Sequence, residues 1–176
     1  MINKAHKIII AADRIQKRIG ELANEISDDM KDENPLIIVV LKGAFMFASD
    51  LIRHFDFPFE MDFMAISSYG TETKSSGVVK VLKDLDEPIK DRTVLLIEDI
   101  VDTGLTLHYL LELMRIREPR RIEVATLLSK PARREFKVPV KYIGFEIENR
   151  FVVGYGLDYK QQYRGLPYVI AITEDE

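Results

Sequence analysis

The stretch Val94-Leu-Leu-Ile-Glu-Asp-Ile-Val-Asp-Thr-Gly-Leu-Thr106 decides how this chain is read. It begins as an apolar run, passes three carboxylates and ends in a Thr/Gly turn. Unbroken hydrophobicity marks residues 94–100 as a strand buried on both faces, the pattern of a parallel sheet. Residues 106–117 then read as a helix. Glu98, Asp99 and Asp102 and the turn Thr103-Gly104-Leu105-Thr106 therefore fall between a strand's carboxyl end and a helix start, where open α/β sheets bind ligands. Free N–H groups at a helix start suit a phosphate. Carboxylates suit hydroxyls, magnesium or a transferable proton. Together they point to a sugar phosphate, although similar turns elsewhere bind nothing.

Working outward, Ile15, Ile19, Leu22 and Ile26 recur at helical spacing, which predicts a helix over 13–29 with Asp13 as its N-cap. Residues 36–41 form a second unbroken apolar run, followed by Lys42-Gly43. A helix over 44–54 follows, with Phe45, Ala48, Leu51 and Ile52 inward. Residues 60–67 and 78–82 read as strands paired in a hairpin across the long polar loop 68–77. Further strands are expected over 122–128, 142–145 and 168–172, with an irregular segment over 151–164 rich in Gly, Tyr and Asp. The alternation predicts a single α/β domain over 1–176, with a mostly parallel central sheet flanked by helices.

The totals narrow the function. The chain has 176 residues, no cysteine and a net charge of -4. That length suits one domain burying about 70% of its unfolded surface. Thiolate catalysis and Cys-based zinc sites are excluded. The acidic balance argues against general nucleic-acid binding. No apolar run reaches the roughly 18 residues that cross a bilayer, and the N-terminus does not read as a signal peptide, so a cytoplasmic protein is expected. The phosphate motifs G-x-x-x-x-G-K-[ST] and G-x-G-x-x-G are missing.

Three strands end in polar residues: Lys42-Gly43, the run from Glu98 to Thr106, and Ser129-Lys130. Parallel order brings such ends to one crevice. Glu98 and Asp99 would face opposite sides of a continuing strand, but where the chain turns both can approach a cis-diol. Asp102 suits an N-cap or a general base. Lys42-Gly43 can hold a second anion or form an ordinary turn. Lys130 can reach a carbonyl oxygen or lie on the surface. Phe151 can stack on a planar base or join the core. Asp158 and Arg164 suit a magnesium ligand and an anion contact, or a surface ion pair of little worth.

Residues 94–106 resemble the phosphoribosyl-pyrophosphate motif of the type I phosphoribosyltransferases. Val40-Leu-Lys-Gly43, Ser67-Ser-Tyr-Gly70, Leu127-Leu-Ser-Lys130, Phe145-Glu-Ile, Phe151-Val-Val-Gly-Tyr-Gly-Leu-Asp-Tyr159 and Tyr163-Arg164 narrow the likeness to the hypoxanthine-guanine branch. The resemblance spans roughly residues 8–172, and motifs in the right order are far more specific together than singly. It implies the type I fold with a small hood formed by the terminal segments. It also implies transfer of a 5-phosphoribosyl group from phosphoribosyl pyrophosphate to N9 of hypoxanthine, guanine or both, with Mg2+, in a homodimer or homotetramer.

Carried over by residue, the resemblance gives Glu98 and Asp99 to the ribose hydroxyls, directly or through magnesium. Residues Asp102, Thr103, Gly104, Leu105 and Thr106 would cradle the 5′-phosphate, and Asp102 would take the proton of purine N7. Lys130 would donate to the 6-oxo group, Phe151 would stack on the ring, and Val152 would meet the base edge through its backbone. Asp158 would bind magnesium and, with the backbone near Val152, meet the purine at its 2-position. Lys42, Gly43, Ser68, Tyr69 and Arg164 would meet pyrophosphate, with a cis peptide between Leu41 and Lys42. Two other readings of the same fold stand beside this one. One is a non-catalytic sensor of phosphoribosyl pyrophosphate, and the other is a relative preferring xanthine.

Overall fold

The computed structural model describes residues 6–69 and 78–172. In chain order the elements are β1 (His6–Ile10), α1 (Ala12–Met30), β2 (Leu36–Leu41), α2 (Phe45–Ile52), β3 (Glu60–Tyr69), β4 (Val78–Lys83), β5 (Thr93–Val101), α3 (Leu105–Arg115), β6 (Arg121–Ser129), β7 (Tyr142–Glu146), β8 (Val152–Val153) and β9 (Val169–Ile172), with a 3-10 turn over Pro131–Arg133.

Six strands form one sheet in the order β4-β3-β2-β5-β6-β7. Only β4 runs antiparallel, closing the expected hairpin with β3. From β2 the chain winds outward through β3, and from β5 it winds the other way through β6 and β7. The order therefore reverses between β2 and β5, and the carboxyl ends of those two strands flank the crevice in which such sheets bind ligands.

Helices cover both faces. Ile15, Ile19, Leu22, Ala23, Ile26 and Met30 of α1 and Phe47, Ala48 and Leu51 of α2 pack on Ile37, Val39, Leu95 and Ile97. Leu107, Leu110, Leu111 and Met114 of α3 pack on Ile38, Val40, Val94 and Leu96. Each fully buried aliphatic side chain contributes on the order of 2 kcal/mol. The strands are buried from both sides, which is why their sequences are continuous rather than alternating.

Two local expectations need correction. The α1 N-cap is Ala11, without a side-chain cap, and Asp13 sits inside the first turn, where its charge favours the helix dipole. In α2 the inward aromatic is Phe47, while Phe45 is 45% exposed. Starting the helix at 45 rather than 44 does not change its phase; the close turn at Gly43 fixes which face meets the sheet. The expected hood also forms: the apolar N-terminal run is strand β1. It pairs antiparallel with β9, and β9 pairs with β8, giving a separate three-stranded sheet. This is the hood, built from the two ends of the described chain and the 151–153 segment. Among the described residues no helix is long and apolar enough to cross a membrane.

Candidate active site

A cleft of about 640 Å³ opens at the reversal point between β2 and β5. It brings together Lys42, Gly43, Glu98, Asp99, Asp102, Thr103, Gly104, Thr106, Asp158 and Arg164, ten of the residues singled out from sequence. Leu105, Lys130, Phe151 and Val152 do not line it. The side chains of Ser68 and Tyr69 and the rest of the 70–77 loop lie outside the described residues; the backbone of both residues continues β3.

β5 does not turn at Glu98. It runs to Val101, so the two acids fall on opposite faces of the sheet, Glu98 in line with Val94 and Leu96, Asp99 in line with Leu95 and Ile97. Both still reach the cleft because it lies across the carboxyl ends of the strands. Glu98 is only 5% exposed and its Oε1 has no hydrogen-bond partner. Burial, then the neighbouring Asp99 charge, pushes its carboxyl well above the usual range. Burial likewise raises Asp99 to about 6, opposed by the Ile100 amide and the Arg164 charge. The Asp99 carboxylate lies against Gly43, where any Cβ would overlap it. This close approach is what the glycine after β2 provides. The peptide between Leu41 and Lys42 is cis, as the resemblance implied.

Asp102 is not the cap of α3. The cap is Gly104, at φ 87, in the left-handed region. Its carbonyl accepts the first helical bond from His108 N at 2.8 Å, and the Leu105 amide points to Thr103 Oγ1 at 3.3 Å. A Cβ at Gly104 would sit 2.8 Å from the Phe136 carbonyl. The 103 carbonyl accepts from the amides of Glu135 and Phe136, which straps the loop to the segment after β6. Thr103, Gly104, Thr106 and Leu107 line the cleft, so the start of α3 lies at its wall, and free amides at a helix start favour a phosphate.

Freed from capping, Asp102 engages cations. Lys130 Nζ lies 2.9 Å from its Oδ2, and Arg133 Nε lies 3.2 Å from its Oδ1. Lys130 is 4% exposed, so its ammonium depends on that partner. Asp158 pairs with Arg164 at 2.6 Å and accepts the Gln161 amide at 2.8 Å. Phe151 is 43% exposed at the rim of the hood, its ring edge-on to Tyr159 at 5.5 Å between centroids.

Sequence reading missed Arg133, Gln161 and Ser67. Ser67 lines the cleft with a buried, unpartnered hydroxyl, and it opens the Ser67-Ser-Tyr-Gly70 motif, which was the available signal. Arg133 is recognisable only once the 3-10 turn after Lys130 folds it back toward Asp102.

The donors here suit a hard cation only in part. Among the described residues no group of three or more acids and histidines forms a cage. Asp99 and Asp158 are both acidic and both face the cleft, and Glu98 Oε1 is unsatisfied. One or two carboxylates completed by substrate phosphates is how magnesium is usually held.

A family model described as the phosphoribosyl transferase domain matches residues 7–160. The chain is 50% identical over 169 residues to the hypoxanthine-guanine phosphoribosyltransferase of Bacillus subtilis (strain 168), covering 96% of this chain and 94% of that protein. It is 47% identical over 165 residues to the hypoxanthine phosphoribosyltransferase of Salmonella typhimurium, covering 93% of each. A crystal structure of a hypoxanthine phosphoribosyltransferase from Staphylococcus aureus superposes with a TM-score of 0.91 at 41% identity, over 95% of this chain and 91% of that one.

Proposed function

The chain belongs to the phosphoribosyl transferase family, and we propose from that premise how its cleft carries out the reaction. It is a transferase of purine salvage that moves the 5-phosphoribosyl group from phosphoribosyl pyrophosphate to N9 of hypoxanthine, guanine or both, releasing pyrophosphate. The observation that carries the site reading is the convergence on one cleft of an anion-binding helix start, paired acids and the Asp158–Arg164 pair.

In this reading the 102–106 loop takes the 5′-phosphate with its amides and hydroxyls. Glu98 and Asp99 take the ribose hydroxyls, directly or through magnesium. Lys42, Gly43, Ser68, Tyr69 and Arg164 take the pyrophosphate, and Asp158 with Asp99 offers carboxylate oxygens to Mg2+. Bound magnesium would neutralise the charge that grows on departing pyrophosphate. Asp102 accepts the N7 proton as the base becomes nucleophilic, a general-base contribution typically worth about 10²–10⁴-fold. Lys130 donates to the 6-oxo group, Phe151 stacks on the ring, and Val152 meets the base edge through its backbone. A 6-oxopurine presents a proton at N7 beside an acceptor at C6, which matches a carboxylate beside an ammonium.

Assembly as a homodimer or homotetramer belongs to the same proposal. Met61 and Phe63, two residues apart on β3 and partly exposed, offer apolar surface for it.

The test is nucleotide formation from phosphoribosyl pyrophosphate and Mg2+ with hypoxanthine, guanine, xanthine and adenine in parallel. Product with the first two and no more than a trace with adenine is expected. Preferential use of xanthine would move the chain to the xanthine-using reading. Binding of phosphoribosyl pyrophosphate without product from any base would make it a sensor.

A further inference from the structure

Tyr155 stands where a glycine would be easier to accommodate. Its φ is 48, between Gly154 at 101 and Gly156 at 98, so three consecutive residues occupy the left-handed region. A side chain there is strained in a way a glycine is not. The ring is nonetheless 2% exposed, packed with the core of α1 and α2. Its hydroxyl donates to the Asp50 carboxylate on α2. Gln16 of α1 donates to the same carboxylate oxygen at 2.8 Å and lies 3.4 Å from the Tyr155 hydroxyl.

The backbone on either side of this anchor leads into the cleft. Gly156 lies so close to the Gly43 carbonyl that any Cβ would overlap it. The Gly156 amide donates to the Arg164 carbonyl at 2.9 Å, and Arg164 Nη1 donates back to the Gly156 carbonyl at 2.7 Å. Arg164 in turn pairs with Asp158. Asp50 and Gly43 are joined through α2, which begins at Phe45. A closed ring of contacts thus runs from Asp50 along α2 to Gly43, across to Gly156, and back through Tyr155 to Asp50.

We propose that Tyr155, through its hydrogen bond to Asp50, is a positioning residue that holds the Gly156–Gly43 seam and thereby places Arg164, Asp158 and Gly43 for phosphoribosyl pyrophosphate. The proposal rests on the phosphoribosyl-transfer reading above. The anchor acts on the pyrophosphate side of the cleft. Asp102 and Lys130 are held by β5, β6 and the turn after β6, and Phe151 and Val152 by their pairing with β9, so the base side is held separately.

The experiment compares Tyr155→Phe, Asp50→Ala, Asp50→Asn and the Tyr155→Phe/Asp50→Ala pair with wild type. Tyr155→Phe keeps the ring and loses one hydrogen bond to a charged acceptor. It should raise KM for phosphoribosyl pyrophosphate about tenfold while KM for hypoxanthine stays near wild type and the melting temperature falls by only a few degrees. Asp50→Ala should match it, and the double variant should be no worse than either single one, because both remove the same contact. Asp50→Asn keeps an acceptor oxygen and should remain close to wild type. Calorimetric titration of each variant with phosphoribosyl pyrophosphate and Mg2+ gives the same comparison without turnover. Unchanged affinity in Tyr155→Phe overturns the positioning role, as does a parallel rise of both KM values with a fall in melting temperature. A wild type that binds the sugar phosphate but forms no nucleotide overturns the transfer reading alone.

Discussion

Lys130 Nζ rests 2.9 Å from Asp102 Oδ2, so the residues given to the 6-oxo group and to N7 hold each other before any base arrives. The pair bridges β6 and the loop after β5, and Arg133 adds a second cation to the same carboxylate. A base entering this site must part the pair, and a 6-oxopurine replaces both halves of the lost interaction. Adenine replaces only the half at N7, since its amino group offers the ammonium no acceptor.

Asp102→Asn should therefore lower kcat by about 10²-fold or more, with a much smaller change in KM for phosphoribosyl pyrophosphate. Steady-state kinetics with hypoxanthine reads this directly. An unchanged kcat would remove Asp102 from its role as base.

Lys130→Ala should weaken hypoxanthine use selectively, with kcat/KM falling roughly 10- to 100-fold, the range of one charged hydrogen bond. Residual adenine turnover should not fall with it. An equal loss with both bases would mean that the lysine serves the fold rather than base choice.

Asp99 gives a pH-dependent signature. Its carboxyl titrates near 6 in the folded protein against 3.8 as its ordinary value. Between those values the folded state binds more protons than the unfolded one, so stability falls as pH rises from about 4 to about 6, and the loss is complete above that. The cost is at most about 3 kcal/mol for a shift of this size. Asp99→Asn should thus melt several degrees above wild type at pH 7.5 and level with it near pH 4, in calorimetry without ligand. It should also lose the stabilisation that phosphoribosyl pyrophosphate with Mg2+ gives wild type. A lower melting temperature at pH 7.5 would contradict the buried-charge account.

Gly104→Ala should cost about 1–3 kcal/mol, combining the left-handed φ with a Cβ 2.8 Å from the Phe136 carbonyl. Its KM for phosphoribosyl pyrophosphate should rise well beyond its KM for hypoxanthine, because the strained residue sits inside the phosphate loop. Equal rises in both would place the damage in the fold as a whole.

The sheet was legible because Leu36-Ile-Ile-Val-Val-Leu41 and Val94-Leu-Leu-Ile97 are buried from both sides and carry no polar interruption. The hood was less so. Ile8, Ile9 and Ile10 have no local periodicity that marks a strand, and their partner β9 comes from the far end of the chain. Phe45 and Phe47 are equally apolar, and only the direction in which α2 leaves Gly43 decides between them. The Thr103-Gly104-Leu105-Thr106 turn announced itself through spacing. Its capping by Gly104 instead of Asp102 depended on Lys130 and Arg133, residues brought near by folding rather than by sequence.

Pairing of β1 with β9 has a consequence for the order of events during synthesis. The segments that form the phosphate loop and its six-stranded support leave the ribosome while β1 still has no partner. The wall that carries Phe151 and Val152 closes only when residues 169–172 have emerged. A released chain truncated after residue 168 should then retain sugar-phosphate binding and lack base binding. Equal binding of both by such a chain would show that the hood assembles without its last strand.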